Sequence, residues 1–293
     1  MELYQLEQFK AAAELSHITK AAQMLSISQP ALSKNIHALE KELGYPLFDH
    51  IGKNIRLNRN GEILLRHVRE IFCSLDNARR ELEEANTNKA PSISLCVKAA
   101  SKLLPEILQT YSQSHPGVRF SVSQSGTASV SSAEHDFTIE SSLSPASGTD
   151  CCSLLRENIL IALPSTHRLA GETSVDLSEL KEEPFISLQK GMGLSNITDY
   201  YCHLCGFVPN VVFESDSPST LRSLLHLNLG IAFIPELTWS GLEDDSIRLL
   251  PVRNLECIRH IILKWDSRRY LSPSTLEFKE FLIRYFSGLG KRN

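Results

Sequence analysis

The stretch ITKAAQMLSISQPALSKNIHALEKELG, residues 18–44, decides the fold of the amino-terminal part. Ile18, Ala21, Ala22 and Leu25 repeat at helical spacing, Ser26-Ile27-Ser28 interrupts them, and Leu32, Ile36, Leu39 and Leu43 follow at intervals of 4, 3 and 4. Two amphipathic helices joined by a tight turn are predicted. Ser28 offers a hydroxyl to the free N–H groups of the second helix, Pro30 stands in its first turn, and Gly44 suits the left-handed position after its end. Upstream, Leu6, Phe9 and Ala13 predict another helix. Downstream, Gly52-Lys53-Asn54 has turn chemistry and Ile55, Arg56 and Leu57 alternate, which reads as a short basic hairpin.

A braced helix followed by such a hairpin is the physical specification of a winged helix-turn-helix, whose second helix enters the major groove. With its four apolar residues facing inward, that helix presents Gln29, Pro30, Ser33, Lys34 and His37 from its amino-terminal part. Gln29 can read adenine bidentately, Lys34 can take guanine acceptors or a phosphate, and Ser33 suits either. Lys53 and Arg56 would hold the DNA backbone, giving register more than sequence information. A small helical domain with a solvated polar face satisfies the same pattern without binding DNA.

Asn58 can cap a third long helix carrying Leu64, Val68, Ile71, Leu75, Ala78, Leu82 and Ala85 at spacings of 4, 3, 4, 3, 4 and 3. This is a heptad seam, which points to dimerisation; a helix packed on its own domain is the alternative. Residues 86–91 read as a linker. Beyond it, short apolar runs (93–97, 118–122, 137–139, 158–163, 211–213, 231–234 and 260–263) alternate with helical stretches, predicting an α/β region with largely parallel sheets. Two subdomains would suit its size.

Charge and composition narrow the class. The 293 residues are 42% hydrophobic and 22% charged, without an apolar run long enough to span a membrane or a leader-like amino terminus, so a cytoplasmic protein is expected. The seven cysteines do not read as a disulfide framework. A net charge of −4 argues against binding nucleic acid by bulk electrostatics. Yet residues 1–90 hold 12 basic and 12 acidic side chains, so the whole excess of negative charge lies in the remaining chain.

Residues 1–61 closely resemble the LysR-type transcriptional regulators. The resemblance is carried by Ala21-Ala22, Ser28-Gln29-Pro30-Ala31-Leu32-Ser33, Leu39-Glu40-Lys41-Glu42-Leu43-Gly44 and Pro46-Leu47-Phe48. It extends downstream through Leu103-Leu104-Pro105, His115-Pro116-Gly117-Val118, Pro164 to Ala170, Asp176 to Leu180 and Gly230 to Pro235. It implies a homodimer or homotetramer on promoter DNA, controlled by a small-molecule effector held between two subdomains folded like a periplasmic binding protein. The domains would be residues 1–60 (winged helix-turn-helix), 61–90 (dimerisation helix) and 91–293 (effector binding). Subdomain I would take about 91–160 plus 265–293, and subdomain II about 161–264.

Carried over by position, Thr19 and Lys20 would reach phosphate. Leu64, Val68, Ile71, Leu75, Ala78 and Leu82 would pair two chains, while Ala100, Ser101, Gly126, Thr127, Ile139, Gly193, Leu194 and Ser215 would line the effector site. His17 stands where relatives have a serine cap, and Asn228 where they often have glycine. The segments before Leu103 and from Gly126 to Asp136 look shorter than is usual in the family.

Cys202-His203-Leu204-Cys205 raises a metal or thiol reading, but no second pair follows to complete a zinc site. Two cysteines on one face of a short helix ending at Gly206 are commonly small buried apolar residues. Thiol sensing by that pair or by Cys151 and Cys152 remains the alternative to small-molecule control. Gly191-Met192-Gly193 lacks the third glycine of a dinucleotide fingerprint and reads instead as a helix start with free N–H groups. No nucleophile elbow, phosphate loop or HExxH motif occurs, so neither an enzyme nor a resident cofactor or metal is expected. A solute-binding module would leave the helix-turn-helix unexplained.

Overall fold

The helices form where the apolar spacing puts them. In the computed structural model, which describes residues 1–51, 54–86, 90–124 and 135–290, α1 spans Leu3–Leu15, α2 Ile18–Met24 and α3 Gln29–Leu43. The Ser28 hydroxyl accepts from the Ala31 N–H at 3.3 Å, and Gly44 ends α3 in the left-handed region at φ 78°. His17 caps α2 with its ring, Nδ1 accepting from the Lys20 N–H at 3.4 Å. The antiparallel wing pairs β1 (Phe48–Ile51) with β2 (Asn54–Leu57). Then α4 runs over Arg59–Asn86, with Asn58 Oδ1 accepting from the Gly61 N–H at 3.0 Å. Gly61 is required by close approach: a Cβ there would stand 2.2 Å from the Leu47 carbonyl oxygen.

These elements share one core, in which Phe9, Leu32, Leu39 and Val68 are fully buried. Each such side chain contributes about 1.5–3 kcal/mol by leaving water. Val68 corrects the seam read from sequence. With Leu65 and half-buried Leu64 and Phe72 it closes the helix-turn-helix core, so the first turns of α4 serve their own domain. Ile71, Leu75, Ala78 and Leu82, further along, are exposed on the isolated chain.

The described residues divide into two units, Met1–Thr87 and Asn88–Asn293, so α4 groups with the DNA-reading part. In the second unit the strands are β3 (Ser92–Val97), β4 (Arg119–Ser123), β5 (Phe137–Ser142), β6 (Cys151–Pro164), β7 (Pro184–Leu188), β8 (Asn210–Ser215), β9 (Ala232–Pro235), β10 (Ile247–Leu250) and β11 (Ile258–Lys264). The helices are α5 (Leu104–Ser114), α6 (Gly193–Leu204), α7 (Pro218–His226) and α8 (Pro273–Leu289). The pairing is mixed rather than largely parallel. β3 runs parallel to β4 and β5, and β7 to β8, but β11 is antiparallel to β5 and β6, and β6 to β9 and β10.

Two apolar cores make two lobes. Lobe I gathers Ile93, Tyr111, Phe137, Leu155, Ile261 and Phe278, and lobe II Ile159, Phe185, Ile197, Phe233, Ile247 and Cys257. Strand β6 therefore passes between lobes from Leu155 to Ile159. β11 passes back between Cys257 and Ile261, several residues before the return at 265 read from the sequence, because Ile261 and Leu263 pack with lobe I. Asn228 adopts the left-handed turn at φ 58° that its place implied.

Candidate functional site

On α3 the buried side is Leu32, Ile36 and Leu39, which leaves Gln29, Pro30, Lys34 and His37 exposed and Ser33 half-buried beside them. Gln29 Nε2 donates to Ser33 Oγ at 2.9 Å, so two of the predicted base-reading groups brace each other one turn apart. His37 Nδ1 lies 3.6 Å from Glu40 Oε2, while Glu40 Oε1 accepts from the Leu47 N–H at 2.8 Å and ties α3 to the wing's approach. Thr19 and Lys20 are exposed on the first turn of α2, and Arg56 is exposed on β2. Lys53 lies outside the described residues.

In the second unit a narrow cleft collects Ala100, Ser101, Gly193 and Leu194, four of the residues expected there. Ala100 is held at φ 59°, a conformation that costs an alanine of the order of 1–2 kcal/mol. Gly193 opens α6 without a side-chain cap, and the first bond of the helix ladder runs from the Asn196 N–H to the Met192 carbonyl. A Cβ at Gly193 would stand 2.7 Å from the Ser141 Cβ, so only glycine lets α6 begin this close to β5.

Two expected residues are used otherwise. The Ile139 side chain is buried in the lobe I core, while its carbonyl accepts from the Lys98 and Ala99 N–H groups; Ser141, two residues on, is the one that reaches the cleft. The Ser215 hydroxyl accepts from the Ser217 N–H at 3.1 Å and shapes the turn into α7. Gly126 and Thr127 lie outside the described residues.

The sequence reading missed Lys98, Ser141, Trp239 and Arg259, all in the cleft wall. Behind it, the buried Glu157 carboxylate accepts from Arg259 Nε at 2.8 Å, from Thr238 Oγ1 at 2.9 Å, and from the Leu237 and Thr238 N–H groups at 3.0 and 2.8 Å. One carboxylate thus ties β6, β11 and the segment after β9 at the crossing between lobes. A signal for this existed: an arginine just before the apolar run at 260–263 needs a buried partner, and Glu157, just before the run at 158–163, is the residue that β6 sets opposite it.

Among the described residues no cysteine is joined in a disulfide. Burial, reinforced by Cys205 and Asp199, pushes Cys202 up to about 12, and burial with Cys205 does the same to Cys257. Since the thiolate is the species oxidants attack, these thiols are protected at neutral pH. Among the described residues no His, Cys, Asp and Glu group is arranged to hold a metal, and no helix is long and apolar enough to cross a membrane.

A winged helix-turn-helix with a long following helix and a two-lobed, cleft-bearing second unit defines a ligand-responsive DNA-binding regulator. The comparisons agree. Residues 3–62 match the profile described as "Bacterial regulatory helix-turn-helix protein, lysR family", and residues 92–287 match "LysR substrate binding domain". The chain belongs to the LysR family of transcriptional regulators and is a DNA-binding regulator with an effector-binding domain. It is 33% identical to the uncharacterized HTH-type transcriptional regulator YybE of Bacillus subtilis over 98% of this chain and 100% of that one. It is 28% identical to the transcriptional dual regulator GltC of the same organism, over 99% of each. Among solved structures it resembles full-length OxyR C199D of Pseudomonas aeruginosa, with a TM-score of 0.60, 20% identity and coverage of 98% and 94%. At that identity the likeness concerns the fold.

Proposed function

We propose that the chain works as a homodimer or higher homo-oligomer. α3 reads operator bases through Gln29, Pro30, Ser33, Lys34 and His37, and Thr19, Lys20, Lys53 and Arg56 hold the backbone. The carrying observation is the division of α3 into a fully buried side and an exposed polar side bearing Gln29 and Lys34 at its amino-terminal end. The exposed Ile71, Leu75, Ala78 and Leu82 pair two chains along α4, placing two reading heads on one operator. A small molecule enters the cleft at Ala100, Ser101, Gly193 and Leu194, and its differing affinity for open and closed lobes biases the heads.

Footprinting of the full chain tests this. Lys34→Ala and Gln29→Ala are each expected to weaken operator binding by about 1–3 kcal/mol where the side chain meets a base. Unchanged protection and affinity in both variants would remove α3 as the reading helix. A control on Arg56 separates the roles, since loss of a phosphate contact weakens all sequences alike and reduces the salt dependence.

A further inference from the structure

Arg259 is 3% exposed and still incompletely used. A guanidinium carries five N–H donors. Nε donates to Glu157 Oε1 at 2.8 Å and Nη2 to Thr238 Oγ1 at 2.6 Å, and among the described residues nothing takes Nη1 or the second hydrogen of Nη2. Buried donors are ordinarily paired. The residue belongs to the wall of the cleft, together with groups from both lobes.

Two further observations converge there. Half-buried Lys98 has no ion-pair or hydrogen-bond partner for its ammonium among the described residues, and the described lining contains no carboxylate; Glu157 stands behind Arg259. Ser141 Oγ is buried without a partner, packed where α6 begins. The uncompensated Lys98 ammonium, the unused N–H donors of Arg259, an unused hydroxyl and the free N–H groups at the start of a twelve-residue helix together favour negative charge.

We propose that Arg259 is the ionic anchor of the effector, its open guanidinium edge receiving a carboxylate or another oxyanion inside the cleft. The inference rests on the effector reading above and sharpens it to an anionic ligand held by a residue of the lobe crossing. The anchor belongs to the hinge itself: Glu157 fixes the other edge of Arg259 and the segment at Leu237 and Thr238 at once, so an anion drawing on Arg259 acts on all three crossing segments.

Removing Arg259 alone would strand Glu157, so the test uses the paired variant Glu157→Gln/Arg259→Gln, in which amides replace both charges and keep hydrogen-bonding capacity. The full chain is titrated with acetate, succinate and inorganic phosphate against acetamide and succinamide at matched chloride, reading thermal shift and calorimetric affinity. In the unaltered protein the preferred anion should bind about ten- to hundredfold more tightly than its amide counterpart, and the paired variant should lose that margin. Whether carboxylate or phosphate gives the larger shift identifies the oxyanion. Equal binding of anions and amides, or an anion margin that survives in the paired variant, overturns the anchor and leaves the cleft reading standing. No shift with either series overturns both.

Discussion

The DNA-reading face and the effector cleft are built in opposite ways. Gln29, Ser33, Lys34 and His37 lie within nine consecutive residues of one helix, so a single period exposes them all together. The cleft draws on residues 98–101, 141, 193–194, 239 and 259, brought together only when two lobes share crossing strands. The first kind of site can be read along a line; the second needs strand pairing that no local pattern gives. The difference also sets what a substitution does: on α3 it removes one contact, whereas at the lobe crossing it disturbs a buried network.

The largest test of that contrast is Arg259→Met. It leaves the buried Glu157 carboxylate without its countercharge, and breaking such a pair costs about 3–5 kcal/mol. The thermal transition of the effector unit should fall by several degrees, while a matched exposed change, Lys34→Met, should leave it in place. A small shift for Arg259→Met would mean that the network is not what joins the lobes.

Along α4 the comparison becomes one between neighbouring turns. Val68→Ala removes buried volume from the helix-turn-helix core and should cost roughly 1–3 kcal/mol of folding stability, read by denaturant unfolding. Ile71→Asp, one turn further, should leave the monomer folded and weaken self-association, read by sedimentation, because it would bury an unpaired charge in the seam. The two effects exchanged would place the seam back at Val68.

The cap of α3 offers a smaller effect of about 1 kcal/mol. Ser28→Ala removes the acceptor for the Ala31 N–H and should lower stability by that amount, with operator affinity falling because the first turn carries Gln29. Unchanged unfolding and footprint would mean that Pro30 alone sets the helix start.

Most of the first unit was legible because its signals are local: Ser28, Gly44 and the 4-3-4 spacing each act within a turn or two of helix. The seam was misjudged at Val68 because a heptad repeat and an inward-facing helix stripe coincide over two turns, and only the position of α1 to α3 separates them. In the second unit the short apolar runs located most strands but not their sense, since antiparallel β11 and parallel β4 read alike in sequence. Strands β7 and β10, beginning at Pro184 and Ile247, were passed over, β7 being short and flanked by polar residues and β10 short and interrupted by Arg248. Arg259 was missed for the deepest reason: its partner is 102 residues away.

The buried cysteines supply the smallest expected effect, one of absence, and it separates effector control from thiol control through Cys202. Alkylation proceeds through the thiolate, whose population falls tenfold for each unit that the thiol is raised above the working pH. Moving Cys202 and Cys257 from 9.0 to about 12 reduces their thiolate about a thousandfold at pH 8. Iodoacetamide followed by peptide mass analysis should therefore leave both unlabelled in the folded chain over a time that labels them fully in urea. Raising the pH toward 10 should speed the reaction without equalising folded and unfolded rates, because at that pH the thiols of the unfolded chain are mostly ionised and the buried ones are not. Rapid labelling of Cys202 in the folded protein, with a loss of operator affinity in step, would move the regulatory signal from the Arg259 cleft to the Cys202 thiol of α6.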